Sequence, residues 1–210
     1  MITLSYSTIN YCLQPENSHN WLNKMMGAKV PDNEFFKNGH RLHAIIQGHL
    51  SGKTPDERLS HLTHKFPIVE EVDFDKRCEF IIPINEKFQV RGFVDAKDPA
   101  NLKLGEIKTA GKMWTIGQFQ NSMQKKVYAL GHPEYKTMVG ITALSDDSQW
   151  LKEKVKAYPI PLTQRDRDEA LKWILEAIAV IEKGEFNGGL DDNGKCALRF
   201  CNFGENCQFK

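Results

Sequence analysis

Four short runs, residues 67–74, 78–84, 88–96 and 102–109, are rich in β-branched and aromatic residues. Turn-forming stretches divide them: Asp75-Lys76, Asn85-Glu86-Lys87 and Asp98-Pro99-Ala100-Asn101. A chain carrying such a block must build a sheet, and its flanks must supply the cover. Upstream, residues 5–27 read as one or two short helices, with Ser5 or Ser7 as caps and Pro15 as a break. Residues 33–50 place Phe35, Phe36, Leu42, Ile45, Ile46 and Leu50 at helical spacing, and Gly52 ends that run. Residues 53–66 read as a polar connection with one helical turn. Downstream, 114–130 returns to helical period, 137–144 and 155–160 read as strands, and 165–183 is an amphipathic helix. Its apolar face is read as Leu171, Ile174, Leu175, Ile178 and Ile181. The expected fold is α/β, a mixed β-sheet flanked by helices.

The chain has 210 residues, which makes one domain spanning 1–210 the natural expectation. No apolar run approaches the roughly 20 residues of a membrane span. No basic region followed by an apolar core opens the chain, so a cytoplasmic location and no membrane partner are expected. A net charge of +1 excludes a protein that coats nucleic acid by charge alone, but not one with a local basic cleft. Lys103, Lys108, Lys112, Lys125 and Lys126 cluster in sequence around an acidic stretch. No Gly-x4-Gly-Lys-Ser/Thr loop is present, so ATP use is not expected.

That acidic stretch carries the chemistry. On a strand, Glu106 and Lys108 project to one face while Ile107 packs into the core. A hairpin can bring Asp95 beside Glu106. Two carboxylates and the Ile107 carbonyl are hard oxygen ligands suited to Mg²⁺ or Mn²⁺. Gly92, three residues before Asp95, reads as room for close backbone or substrate approach. Gln124 and Tyr128, four residues apart on the next helix, share a stripe read as exposed, where an amide and a phenol can meet a phosphate and a base. His43, on the helix before the sheet, can complete a metal's coordination. Each feature alone is more often a solvated face or a core contact than a site; the order in which they occur is what singles them out.

That order resembles the RecB-type branch of the P-D-(D/E)-x-K nuclease superfamily, with its restriction-endonuclease-like core. Gly39 to His43 matches G-x-x-x-H, Gly92 to Asp95 matches G-x-x-D, Glu106 to Lys108 matches E-x-K, and Gln124 to Tyr128 matches Q-x-x-x-Y. Val94 stands where the superfamily name has proline. The resemblance implies a Mg²⁺- or Mn²⁺-dependent DNA nuclease acting mainly as an exonuclease on single-stranded ends. His43, Asp95, Glu106 and the Ile107 carbonyl would hold metal, Lys108 would be catalytic, and Gln124 and Tyr128 would bind DNA. A helicase or another DNA-processing protein would supply unwound strands. The alternatives are a structure-selective endonuclease of the same chemistry, or an idle nucleic-acid- or protein-binding module on the same scaffold.

The five cysteines are unevenly placed, with Cys12 near the start and Cys196, Cys201 and Cys207 near the end. An odd count speaks against a disulfide framework. Cys78 lies in a strand run and reads as a small buried hydrophobe. The other four resemble the [4Fe–4S] clamp of CRISPR-associated adaptation nucleases and of AddB, which would join the N-terminal helices (1–30) to the tail (190–210). Here the first C-terminal gap is four residues, where the family usually has two. Zinc in a Cys₄ site, or no metal, is the alternative.

Overall fold

The computed structural model describes residues 1–31, 34–63, 78–144, 155–197 and 203–209. The strand expected at 67–74 lies outside them. The chain divides into two compact units. One joins Met1–Asp32, Ile82–Arg91 and Leu171–Lys210; the other joins Asn33–Ile81 and Gly92–Ala170.

The second unit is built on a four-stranded sheet of order β4-β5-β6-β7, formed by Ala96–Asp98, Lys103–Ala110, Thr137–Leu144 and Val155–Pro161. β4 and β5 are antiparallel, β5 and β6 parallel, and β6 and β7 antiparallel, so the sheet is mixed. β7 holds Pro159 and Pro161. It is an edge strand, where missing N–H donors cost least. The parallel pair needs a crossover, which is supplied by α5 (Ile116–Asn121) and α6 (Met123–Gly131).

Alternation sorts the two faces of this sheet. Ile107, Val139, Ile141, Ala143 and Ala157 join Leu42, Ile46 and Leu50 of α3 (Glu34–Leu50) in one core. Burying a side chain of this size is worth about 1.5–3 kcal/mol, which is what holds α3 to the sheet. Gly39 allows the close approach, since a Cβ there would lie 3.0 Å from Thr109 Oγ1 on β5. On the other face, Phe119 of α5 lies over Gly140 of β6 and 6.2 Å from the Tyr158 ring.

Two expected elements are split. The run 88–96 becomes β3 (Phe88–Phe93) and β4 because the chain changes partner: Val94 N–H donates to the Cys78 carbonyl, and Asp95 N–H to that of Gly105. The run 114–130 breaks at Ser122, whose extended backbone (ψ 127°) is that of a helix N-cap. A capping box between Thr115 and Gln118 starts α5.

The first unit contains β1 (Ile2–Leu4), parallel to β3, with Ile2 opposite Phe88 and Leu4 opposite Val90. With β2 (Glu79–Pro83) these strands form a sheet of order β1-β3-β2. α1 (Tyr6–Cys12) is capped by Ser5, a 3₁₀ turn begins at Pro15, and α2 (His19–Met25) follows. The short α4 (Ser60–Thr63) of the second unit is the helical turn expected in 53–66. α7 (Gln164–Lys183) buries Ala170, Ile174, Ala177 and Ile178, while Leu171 and Leu175 are 40% and 48% exposed. The stripe read from branched residues alone is therefore rotated, because alanines let the helix pack closely. Among the described residues, no helix is long and apolar enough to cross a membrane.

Candidate active site and metal-capable cluster

The motif residues of the second unit converge where β4 stops pairing. The β4–β5 ladder ends with Ala96 opposite Gly105, so among the described residues that flank of β5 pairs with no strand from Glu106 onward. Asp95 fills the first gap. Its N–H donates to the Gly105 carbonyl, and its Oδ2 accepts from Ile107 N–H at 2.7 Å. In a strand, one residue's N–H and C=O point to the same side, so the Ile107 carbonyl also faces Asp95. The Ile107 side chain lies in the core, as expected.

His43 and Gln47 reach the same aspartate from α3. His43 Nε2 lies 3.4 Å from Asp95 Oδ1, and Gln47 Nε2 donates to the Asp95 carbonyl at 3.1 Å. Burial lowers the His43 imidazole, but the hydrogen bond and charge of Asp95 outweigh it, with Glu106 adding, and hold it above its ordinary value. Gln47 was not singled out in the sequence; its signal is the four-residue spacing from His43 on one helical face.

Glu106 points to the opposite sheet face and is 2% exposed. Burial first, and then the charge of Asp95, push its carboxyl up to about 7 against the downward pull of Lys108. The Lys108 ammonium contacts Oε1 and the Tyr128 hydroxyl bears on the same group. Both contacts act as hydrogen bonds that favour its charged form, yet this one ammonium lies beside two carboxylates, Glu106 and Asp95. A buried pair of like charges is costly unless a further cation completes it. Two carboxylates, a carbonyl and an imidazole are the donor set that a hard divalent cation takes. The residues therefore fit the expected Mg²⁺ or Mn²⁺ group.

Lys108 lies on the same face as Glu106, as the two-residue strand period requires. Its ammonium donates to Gln124 Oε1 at 2.6 Å and sits 5.4 Å from the centre of the Trp114 ring. Gln124 Nε2 donates to the Tyr128 hydroxyl at 2.6 Å. Glu106, Lys108, Gln124 and Tyr128 thus form one polar chain, with Trp114 as its unforeseen wall.

Three expectations around this site are corrected. The stripe holding Gln124 and Tyr128 is not exposed along its length: Tyr128 is 3% exposed, with its ring edge-on to Phe80 at 6.0 Å. Its hydroxyl, not its ring face, addresses the site. Gly92 does not hold space open for a substrate; Phe80 occupies that space, slotted between Gly92 and Gly131. Lys125 and Lys126 belong to no free basic patch. Lys125 pairs with Asp166 at 2.6 Å, both nearly buried, and Lys126 pairs with Glu169 at 2.5 Å.

Cys12, Cys196 and Cys207 lie in the first unit. There the N-terminal helices and the tail do meet. Asn23 Nδ2 donates to Cys207 Sγ at 3.2 Å, Asn23 Oδ1 accepts from Gln208 N–H, and Asn206 Nδ2 donates to the Lys29 carbonyl. Among the described residues, the group that could hold a metal is not made up only of the expected Cys12, Cys196, Cys201 and Cys207. Sulfurs of Cys196 and Cys207 and a ring nitrogen of His19 lie within 4.8 Å of one another, a group that can hold a metal ion. Cys12 is not in it: its thiol donates to the Ala177 carbonyl at 3.5 Å, and burial pushes it up to about 11. Cys201 lies outside the described residues. Cys78 is fully buried, as expected.

No protein-family model and no curated protein matches the sequence. Among solved structures, the chain is similar to SSO0001 at 15% identity, with a TM-score of 0.51 over 85% of this chain and 75% of that one. Two others are a candidate exonuclease from Eubacterium rectale and LHK-Exo in complex with dAMP. Both are 11% identical; the first has a TM-score of 0.48 over 87% of this chain and 82% of that one, the second 0.36 over 86% and 90%. The likeness to SSO0001 is one of fold.

Proposed function

We propose that the chain is a metal-dependent deoxyribonuclease that works mainly from single-stranded ends and receives unwound DNA from a separate protein. One observation carries this reading: Asp95, Glu106, the Ile107 carbonyl and His43 are gathered at the open flank of β5, with the ammonium of Lys108 beside them.

His43, Asp95, Glu106 and the Ile107 carbonyl would hold Mg²⁺ or Mn²⁺, which stabilises charge on a phosphate and acidifies a bound water. The remaining steps belong to the chain. Ile107 N–H and Gln47 fix Asp95 at its side chain and at its carbonyl, so the carboxylate is oriented before substrate arrives. Lys108 is 22% exposed at its side chain, so its ammonium can meet a scissile phosphate oxygen and balance the developing charge. Gln124 holds Lys108 by its carbonyl oxygen and is itself held by Tyr128. Gln124 is the nearer of the two to a passing backbone; Tyr128 acts by positioning it.

The test is cleavage of end-labelled linear single-stranded and duplex DNA, and of internally labelled single-stranded circles, with Mg²⁺, with Mn²⁺ and with chelator. The expected result is metal-dependent shortening of linear single strands while circles stay intact. Cleaved circles would make it an endonuclease. No metal-dependent cleavage of any substrate, with DNA still bound, would leave a binding module.

A further inference from the structure

We propose that His19, Cys196 and Cys207 form a zinc site that fastens helix α2 to the C-terminal tail, distinct from the oxygen-ligand site on β5. The two sulfurs and a nitrogen of His19 lie within 4.8 Å of one another. Two bonds of about 2.3 Å meeting at the tetrahedral angle span about 3.8 Å, so a modest closure makes a zinc site of them. Two sulfur donors and one nitrogen select a borderline-soft cation over Mg²⁺ or Mn²⁺.

A second, independent observation points the same way. His19 is fully buried, and its Nδ1 lies 2.5 Å from the Gly188 carbonyl. A carbonyl accepts only, so Nδ1 carries the proton and Nε2 keeps its lone pair. That Nε2 is buried without a hydrogen-bond partner among the described residues. A metal-ligating histidine is normally oriented in this way, one nitrogen bonded to a carbonyl and the other left to the ion. An imidazole that served only as packing would leave a polar atom buried with nothing to satisfy it.

The surroundings are built for the same task. The Asn23 amide donates to Cys207 Sγ, which holds that sulfur in place. The Cys196 N–H donates to the Phe209 carbonyl at 2.5 Å, and the Phe209 ring stands edge-on to His19 at 5.7 Å. Gly189, at φ 79°, lies against the imidazole, where a Cβ would come within 3.0 Å of it. Binding displaces two thiol protons and needs no redox partner. The three ligands come from α2 and from two separate points of the tail, so the ion would tie the tail to α2 beside the cluster that Phe203 and Cys207 form with Ala28.

The test uses the full chain with Glu106→Gln, which removes a ligand from the β5 site, so that metal content reports on the tail. Zinc and iron are counted after purification. Chelated protein is then titrated with Co²⁺. The proposal expects about one zinc per chain, no iron, and sulfur-to-cobalt charge-transfer and tetrahedral d–d bands. His19→Ala and Cys207→Ser should lose at least about tenfold in zinc affinity, and Cys12→Ser should lose none. Iron with sulfide that depends on Cys12 would replace the site with a four-thiolate cluster. Zinc retained by both the His19 and Cys207 variants would also overturn it. Should the variants not fold, the cobalt spectrum of the Glu106→Gln chain decides alone, and absence of thiolate bands sinks the proposal. DNA cleavage by the wild-type chain is a separate readout, so failure here leaves the nuclease reading standing.

Discussion

Glu106 shows how much one position is asked to do. It is a carboxylate buried beside another, with a single ammonium and a tyrosine hydroxyl to balance it. Glu106→Gln keeps the shape and removes the charge. Single-strand cleavage should fall at least about a thousandfold, because a metal-stabilised transition state is worth several kcal/mol. Lys108→Ala should lower kcat by roughly 10²–10³-fold while Mn²⁺ binding, followed by calorimetry, stays near wild type. Mn²⁺ binding lost with Lys108 would mean that the lysine shapes the metal site and not the reacting phosphate. Tyr128→Phe is subtler. The ring still packs on Phe80, so stability should hardly change, but Gln124 loses its support, and activity should drop about tenfold. The measurement is kcat beside a urea midpoint; a large stability loss with unchanged kcat would assign Tyr128 to the core alone.

At the scale of elements, glycines set how closely parts approach. Phe80 of β2 sits between Gly92 of β3 and Gly131 of α6, edge-on to Tyr128 and His132. Gly92→Ala drives a methyl into that ring, and the surrounding rings leave it little room to move. The expected cost is about 1–3 kcal/mol, seen as a lower urea midpoint with an unchanged slope. Phe80→Leu in the Gly92→Ala background should recover part of the loss, a coupling that two independent effects would not show. α6 and α7 are joined by the Lys125–Asp166 pair, whose side chains are 6% and 10% exposed. Asp166 also accepts from Thr163 at the start of α7. Lys125→Met strands that carboxylate and should cost about 3–5 kcal/mol, less whatever Thr163 retains.

At the scale of the whole molecule, acid sensitivity has a located source in the second unit. Burial, and after it the charge of Lys97, lowers His132 from 6.5 to about 4, against the opposing pull of Glu134. Its ring lies among Phe80 and Tyr135, and Nε2 is buried without a hydrogen-bond partner among the described residues. An imidazole kept neutral in the folded state takes up a proton on unfolding between those two values. Protons then favour the unfolded chain, so stability should fall as pH drops from about 6.5 towards 4 and be insensitive to this group above that range. His132→Phe keeps a ring in place and should flatten the slope of Tm against pH in that window. An unchanged slope would move the acid sensitivity elsewhere.

Local chemistry made much of this legible before any coordinates. The two-residue period of a strand put Glu106 and Lys108 on one face, a hairpin brought Asp95 to them, and helical spacing put Gln124 and Tyr128 on one stripe. These are short-range relations, and backbone geometry alone determines them; that His43 and the Gln124–Tyr128 pair belong beside them was implied only by the resemblance of the motif order to a nuclease family. What only the tertiary structure decided depends on burial and on partners far along the chain. It split the run 88–96 because Val94 and Asp95 bond to different strands. It turned Tyr128 inward, gave Gly92 to Phe80, and engaged Lys125 and Lys126 in ion pairs. It also set His19, not Cys12, beside Cys196 and Cys207. Nothing in the spacing of four cysteines reveals which one faces a helix carbonyl, or which histidine from another helix arrives in its place. That choice belongs to packing, where distant segments compete for the same buried space.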